Sequence, residues 1–169
     1  MKDDCIFCKL ANGVFPTNMI YEDEDFAVIL DAAPAAKGHA LIIPKQHSDN
    51  LYELPDETAA KLMPLAKKIA LAEKKALNCD GVNVLQNNEL AAGQSVFHLH
   101  VHVIPRKAKD NMGLLWKPGK PKDEEQKEIS TVVRDGYEYV VYETYKWKNG
   151  VLKQVSSKRE KLFDDDNGD

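Results

Sequence analysis

The segment Ser95–Arg106, SVFHLHVHVIPR, alternates histidine with apolar residues and constrains the fold more than any other part of the chain. Successive side chains of a β-strand point to opposite faces, so His98, His100 and His102 are predicted to share one face. The residues between them, together with Phe97, form an apolar face, and their β-branched and aromatic character favours a strand over a helix. Neighbouring rings are expected about 6–7 Å apart, two strand rises per step. The segment therefore predicts a sheet with one apolar face and one face that carries imidazoles.

Apolar periodicity predicts the other elements of the first two thirds of the chain. The longest predicted helix, which begins at Pro55–Asp56, contains Pro64, and this proline either kinks the helix or divides it in two. The predicted strand Val82–Gln86 and the histidine strand are consecutive in the sequence and joined by a polar loop, which suggests that they form an antiparallel pair. The predicted elements are a short helix within residues 5–15, a hairpin over Met19–Leu30, strands at Ala40–Pro44 and Val82–Gln86, and a helix from Pro55–Asp56 to Leu77.

The residues after Arg106 differ in character from those before it. Residues 107–122 are rich in Gly, Pro and Lys and predict a loop, and Asp123–Arg134 predicts a short helix. Tyr137–Val155 predicts a β-hairpin that turns at Asn149–Gly150, and an acidic tail follows it. We expect a core over residues 1–106 and a C-terminal extension over residues 107–169 that packs on the same domain.

Composition narrows the class of protein. The 169 residues suffice for one domain with appendages, and the 30% charged fraction is that of an ordinary globular protein. A net charge of −4 argues against a nucleic-acid partner, and no apolar run is long enough to span a membrane. The N-terminus, MKDDCIFCKL, lacks the basic start and apolar core of a signal peptide, so a cytoplasmic location is expected. Three cysteines favour metal binding or burial over a disulfide framework.

The row of histidines has three interpretations from the residues alone. They are surface residues of a half-exposed strand, or His100 and His102 bind one zinc ion, or one imidazole attacks phosphorus in nucleotidyl transfer. A neutral imidazole is nucleophilic near pH 7, while its neighbours can donate to phosphate oxygens. Gln94 and Ser95, directly before the strand, supply further donors. The chain has no P-loop motif and no obvious carboxylate cluster for Mg²⁺.

Two blocks resemble the histidine triad family. GQSVFHLHVHVIPR resembles the family's His-apolar-His-apolar-His signature with its Gly-Gln-Ser lead-in. Leu30–His47, LDAAPAAKGHALIIPKQH, is similar to the family's earlier block, in which an acid ends a strand and Gly-His leads into an apolar strand. The resemblance covers roughly residues 4–106 and implies a compact α+β fold with a five-stranded antiparallel sheet and helices, to which the C-terminal hairpin is an addition. It also implies a two-fold homodimer.

The resemblance implies roles for particular residues. Family enzymes cleave nucleoside 5′-phosphate derivatives at the α-phosphorus, and His100 matches the nucleophile that forms a nucleotidyl-imidazole intermediate. His102 and His39 match residues that hold or polarise the phosphate, and Gln94 and Ser95 match residues that contact its oxygens.

The same resemblance assigns a site for a purine nucleotide such as AMP. Asp31 matches the acid that binds the ribose hydroxyls, because a carboxylate can accept two hydrogen bonds from a cis-diol. Phe7, Ile29 and Ala32 are expected to line the slot for the base, although ordinary core positions would have the same composition. Asn87 is assigned to this nucleotide site as well.

Cys5 and Cys8 form a C-x-x-C pair that by itself fits either zinc or redox chemistry. In the bacterial-type branch that the chain resembles, the pair is completed by the His after Ile-Pro-Lys and by the first His of the triad. Here these are His47 and His98. The resemblance therefore implies a structural Cys₂His₂ zinc site, which would leave His100 as the first free imidazole.

The leading functional hypothesis is a hydrolase of nucleoside phosphoramidates or dinucleoside polyphosphates. The sequence VIPRK resembles the family's dinucleoside polyphosphate branch more closely, whereas Asp31 and Ser95 fit its phosphoramidate branch. The sequence therefore does not decide between the two leaving groups. A nucleotidyltransferase is disfavoured because that branch replaces the third histidine, and His102 is present. The alternative from another class is a nucleotide-binding regulatory or scaffold protein without significant turnover.

Overall fold

The structure is a computed structural model that describes residues 2–114, 126–134, 137–148 and 151–161. The chain divides into two compact units at Gly113, and each is described by itself. The first unit contains helices α1 (Ile6–Ala11) and α2 (Asp56–Leu77), a 3₁₀ turn (Leu90–Ala92) and strands β1 (Met19–Glu22), β2 (Phe26–Leu30), β3 (Ala40–Pro44), β4 (Gly81–Gln86) and β5 (Val101–Arg106).

The five strands form one antiparallel sheet with the order β1-β2-β3-β5-β4. The predicted α+β class and five-stranded sheet are therefore confirmed. Strand β5 lies between β3 and β4, and His102 pairs with Leu41 on one side and Leu85 on the other. The histidine segment thus enters the interior of the sheet and not its edge.

Helix α2 covers one face of the sheet. Its Leu62, Leu65, Ala66 and Ile69 are buried at the i, i+3, i+4 spacing of an amphipathic helix. They belong to one apolar cluster with sheet residues that include Leu99, Val101 and Val103 from the histidine segment. Leu99, Val101 and Val103 are therefore core as predicted, whereas Phe97 is exposed.

The opposite face carries α1 and the histidine rings. Ala27, Ile29, Leu41 and Ile43 of the sheet pack there against Ala11 of α1, with Phe7 and Leu10 beside them. Strands β2 and β3 are buried on both faces, which explains why their sequences, FAVIL and ALIIP, are continuous apolar runs rather than alternating ones.

The histidine strand is shorter than predicted. Strand β5 begins at Val101, so of the three histidines only His102 lies within it. The segment before β5 leaves the ladder because the Leu99 amide donates to the Ser48 carbonyl (2.7 Å) and not to a neighbouring strand. The alternation of faces nevertheless continues through this extended segment.

Pro64 neither ends nor divides α2, which is continuous over 22 residues. Proline removes one backbone donor, so the Ala60 carbonyl loses its helical partner. Both residues are exposed, and water can satisfy that carbonyl. Among the described residues no helix is both long enough and apolar enough to cross a membrane.

The second unit is a three-stranded antiparallel sheet of β6 (Gln126–Arg134), β7 (Tyr137–Lys148) and β8 (Val151–Lys161), in that order. The predicted hairpin is confirmed and is longer than expected, with Lys148 paired to Val151. Its turn at Asn149–Gly150, the loop over 115–122 and the acidic tail lie outside the described residues.

The predicted helix over Asp123–Arg134 is wrong, because residues 126–134 form β6. Charged residues suggested a helix, but Ile129, Thr131, Val132 and Val133 prefer a strand. Whether residues 107–169 pack on the core remains a prediction.

Candidate functional site

A pocket of about 750 Å³ opens between α1 and the end of β2. This volume lies within the range of small-molecule and cofactor sites. Its walls include Phe7 and Leu10 of α1, Ile29 of β2 and Leu41 of β3. Ser95 and Val96, which precede the first histidine of the row, complete the pocket. The pocket therefore lies on the α1 face of the sheet, the face that carries the histidine rings.

The pocket brings together most residues that were predicted to bind a nucleotide. Phe7, Ile29, Asp31 and Ala32 all line it, and so does Ser95, which is exposed. Asn87 is not among the lining residues. Its backbone carbonyl accepts a hydrogen bond from the Gln86 side chain (2.9 Å), and it lies beside Gly93 instead.

The His100 ring is buried and has a defined tautomer. Its Nδ1 lies 2.7 Å from the His98 carbonyl oxygen, which can only accept, so Nδ1 carries the proton. The Nε2 atom therefore keeps its lone pair. The ring packs edge-on against Phe7 with centroids 4.9 Å apart, which places it beside a wall of the pocket. Burial lowers the pKa of His100.

His39 and His102 form a hydrogen-bonded chain. The Ala35 amide donates to His39 Nδ1 (3.1 Å), which makes Nδ1 an acceptor and assigns the ring proton to Nε2. That proton is donated to His102 Nδ1 at 2.9 Å. In this neutral arrangement His102 carries its own proton on Nε2, ready to donate to a bound anion.

Burial keeps this chain uncharged near neutral pH. Desolvation lowers the pKa of His102 to about 4 and also lowers the pKa of His39, although Asp31 partly opposes the latter. The Asp31 carboxylate accepts from the Ala33 amide (2.9 Å) and lies 3.4 Å from His39 Nδ1. These three side chains could hold a metal by proximity, but both nitrogens of His39 and the Nδ1 of His102 are already in hydrogen bonds.

The two simplest interpretations of the histidine row do not fit this geometry. The surface interpretation is wrong for His98 and His100, which are 0% and 6% exposed. A shared zinc on His100 and His102 is disfavoured because the hydrogen-bonded chain leaves the proton of His102 on Nε2, and His100 belongs to neither group of potential metal ligands among the described residues. The rings of His100 and His102 are 4.9 Å apart, closer than two strand rises predict.

Gln94 is buried, and its amide is fully occupied by the backbone. Its Oε1 accepts from the Glu89 amide (2.7 Å), and its Nε2 donates to the carbonyls of Asp49 and Val96. No donor is left for a phosphate in this arrangement. Gln94 therefore positions the loop that leads to Ser95, a different task from the expected phosphate contact.

Four side chains converge in a second cluster beside the pocket. One donor atom from each lies within 4.8 Å of the others, and these residues are Cys5, Cys8, His47 and His98. The Sγ to Nδ1 distances are 3.3 Å (Cys5 to His98) and 3.4 Å (Cys8 to His47), and the two Nδ1 atoms are 3.2 Å apart. Tetrahedral zinc ligands with ordinary bond lengths are separated by about 3.3–3.8 Å. The spacing fits such a site.

The outer nitrogens of the two rings support a cation in this cluster. His98 Nε2 donates to the Pro44 carbonyl (2.8 Å), and His47 Nε2 donates to the Asp49 carboxylate (2.6 Å). Both neutral rings therefore direct an unprotonated Nδ1 into the cluster. Outer-shell acceptors of this kind are typical of histidines that bind metals.

Sequence reasoning missed three contributors to these sites. Asp49 orients His47 and stands two residues after it, a spacing that could have been noticed. Leu10 lines the pocket one helical turn after Phe7, which the i, i+3 rule predicts. The Ala35 amide, which sets the His39 tautomer, carries no signal in the sequence because it is a backbone group.

Fold and site together define a protein with a small-molecule pocket beside a triad of histidines. The family model of the HIT domain matches residues 12–109. The chain belongs to the HIT family.

Relatives and solved structures agree with this assignment. The protein hit of Bacillus subtilis is 46% identical over 116 residues, which cover 68% of this chain and 80% of that protein. The adenosine 5′-monophosphoramidase hnt1 of Schizosaccharomyces pombe is 42% identical over 66% of this chain and 82% of its own length. A zinc-bound histidine triad family protein from Mycobacterium smegmatis is 41% identical with a TM-score of 0.63, covering 69% of this chain and 84% of that one.

Proposed function

We propose that the protein is a nucleotide hydrolase that cleaves nucleoside 5′-phosphoramidates or dinucleoside polyphosphates at the α-phosphorus. The observation that carries the proposal is the fixed tautomer of His100, which leaves the Nε2 lone pair free beside a pocket of nucleotide size. The similarity to an adenosine 5′-monophosphoramidase supports the same class of reaction.

The walls of the pocket suggest how AMP is held. The base would lie between Phe7 and Ile29, and the Asp31 carboxylate would accept hydrogen bonds from the two ribose hydroxyls. One Asp31 oxygen is already oriented by the Ala33 amide. The α-phosphate would then reach the His100 ring, which packs against the Phe7 wall.

The reaction would have two displacements at phosphorus. His100 Nε2 forms a bond to phosphorus as the bond to the leaving group breaks, and the leaving group departs with that electron pair and takes up a proton. Water then attacks phosphorus, the bond to Nε2 breaks, and AMP leaves while the water proton passes to solvent. One water is consumed per bond cleaved. His102 Nε2–H would stabilise the charge that develops on the phosphate oxygens.

Cys5, Cys8, His47 and His98 are proposed to hold one structural zinc ion, which supplies a cross-link and no reaction step. The zinc-bound relative from Mycobacterium smegmatis supports this assignment. In this chain the ligands join the α1 segment to the loop after β3 and to the histidine segment. The Phe7 wall of the pocket would be held in place by that cross-link.

A parallel assay tests the hydrolase. Wild type should release AMP from adenosine 5′-phosphoramidate or from a diadenosine polyphosphate, and His100→Asn should lower kcat by on the order of 10³-fold or more. AMP binding, measured by calorimetry, should survive the substitution because the pocket walls are unchanged. If wild type binds AMP and turns over neither substrate class, the regulatory or scaffold alternative replaces the hydrolase. The expected homodimer is tested on the same samples by sedimentation equilibrium.

A further inference from the structure

We infer that a second pocket, at the C-terminal end of α2, binds a small carboxylate with an apolar body, and that this binding changes the surroundings of His39. The second pocket has a volume of about 300 Å³, and among the described residues it shares no lining residue with the proposed nucleotide pocket beside His100. Its apolar walls are formed by Ala36, Ala76, Leu77, Cys79 and Pro105. The inference does not depend on the proposed function.

The second pocket lies on the face of the sheet that α2 covers. Pro105 continues the alternation of Val101 and Val103, which pack in the core against α2, whereas the histidine rings lie on the other face. Ala76 and Leu77 belong to the last turn of the helix. The second pocket is therefore separate from the place at which the reaction is proposed to occur.

Two lysines give the second pocket a positive rim. Lys37 is exposed, and it forms no hydrogen bond or ion pair with any described residue. Lys107 Nζ donates to the Asn78 carbonyl, and an ammonium group has two further N–H donors. The remaining charged wall residue, Asp110, is neutralised by Arg106 through two contacts of 2.7 Å. The charge of the rim therefore favours an anion over a cation.

Apolar walls beside two ammonium groups suit an acid with a hydrocarbon body. The carboxylate would accept charge-assisted hydrogen bonds from Lys37 and Lys107. The hydrocarbon would cover Leu77 and Pro105 and remove their apolar surface from water. The volume is less than half of the 750 Å³ of the proposed nucleotide pocket, so the second pocket selects a small molecule.

The loop between β2 and β3 connects the second pocket to His39. Ala36 lies on the pocket wall, and its carbonyl accepts the His39 backbone N–H (3.0 Å). The neighbouring Ala35 amide donates to His39 Nδ1 (3.1 Å). Gly38 packs so closely on Leu77 that a Cβ atom there would clash with the leucine side chain. A ligand that contacts Ala36 and Leu77 therefore contacts the backbone that orients the His39 ring.

A titration of the full chain followed by NMR tests the inference. Hexanoate should shift the backbone amide signals of Ala36 and Lys37 to saturation, and it should shift the His39 ring signals with the same dissociation constant. Acetate lacks the apolar body and hexanamide lacks the charge, so each should bind at least about tenfold more weakly than hexanoate.

Three variants locate the site. Lys37→Gln should weaken hexanoate binding by about fivefold, because one exposed charge is lost. Lys67→Gln is the matched control, since Lys67 is also an exposed lysine but lies outside the pocket wall, and it should bind hexanoate as wild type does. Ala76→Trp should abolish binding because the indole fills the pocket, and Ala76 is exposed, so the core is left intact.

Four results would overturn the inference. They are equal affinities for hexanoate and hexanamide, equal affinities of Lys37→Gln and Lys67→Gln for hexanoate, wild-type binding by Ala76→Trp, and saturation that leaves the His39 ring signals unchanged. AMP release by wild type is a separate measurement, so none of these results bears on the proposed hydrolase.

Discussion

The two nitrogens of the His100 ring have different surroundings. Nδ1 is tied to the His98 carbonyl, and Nε2 accepts no hydrogen bond from the described residues. This hydrogen bond is local, since it joins residues two positions apart. It depends on residues 98–100 lying outside the sheet ladder, which begins at Val101. A regular strand would have engaged that carbonyl in the sheet. The irregular backbone at this position therefore orients the ring.

Asp31 gives a test at the scale of one residue. Asp31→Asn should weaken AMP binding by about tenfold or more, because hydrogen bonds to a charged acceptor contribute roughly 1.5–3 kcal/mol. The 2′,3′-dideoxy analogue of AMP has no ribose hydroxyls, so wild type and variant should bind it equally. Calorimetry with both ligands makes the comparison. If Asp31→Asn loses the same affinity for both, Asp31 does not bind the ribose hydroxyls.

Residue positions were predictable where a side chain alone carries the signal. Phe7, Ile29, Asp31 and Ala32 do meet around one pocket. The backbone partners of Gln94 could not be predicted, because they are groups from separate parts of the chain. Such long-range pairing has no local sequence signature.

At the scale of elements, local patterns predicted most strands and both helices of the first unit. Alternation, apolar runs and the i, i+3, i+4 spacing are short-range properties, so they mark elements well. They do not specify that β5 lies between β3 and β4, because strand order depends on pairing between residues that are far apart in the sequence. The helix predicted over Asp123–Arg134 was wrong because the β-branched residues of 126–134 favour a strand, and residues 126–134 form β6.

Helix α2 carries a buried acid that predicts a pH dependence. Glu73 is 6% exposed, and within the described part of the chain neither carboxyl oxygen has a hydrogen-bond partner. Desolvation raises its pKa to about 7. The folded state therefore holds this proton more tightly than the unfolded state, and stability is lost as the pH rises from about 4.5 to about 7.

Glu73→Gln should remove that loss. The variant should match wild type near pH 4.5 and exceed its free energy of unfolding by up to about 3 kcal/mol above pH 7. Urea unfolding of the full chain, followed by helical circular dichroism between pH 4.5 and 8.5, measures the difference. Glu57→Gln, an exposed position of the same helix, serves as the control and should show no such rise with pH. A constant offset for Glu73→Gln at every pH would contradict the prediction.

At the scale of the whole molecule, the cysteine and histidine cluster joins distant parts of the chain. Cys5 and His98 are 93 positions apart in sequence and 3.3 Å apart between donor atoms. Because α1 is only 6 residues long, it has little stability of its own and depends on such anchoring. Its Phe7 and Leu10 in turn form part of the nucleotide pocket.

Metal analysis tests this arrangement. Wild type should contain one zinc per chain, and Cys8→Ser should lose most of it, melt at a lower temperature and bind AMP more weakly. Cys79→Ser is the matched control, since Cys79 is equally a buried free cysteine but lies outside the cluster, and it should keep the zinc. Equal zinc in the two variants would exclude the site.

The cluster also fixes an order of events during synthesis of the protein. Cys5 and Cys8 are synthesised before His47, and His98 is synthesised last. The proposed zinc cross-link between α1 and the sheet can form only after that last histidine has been made. A chain cut short before His98 should therefore hold Phe7 and Leu10 less firmly and bind AMP more weakly.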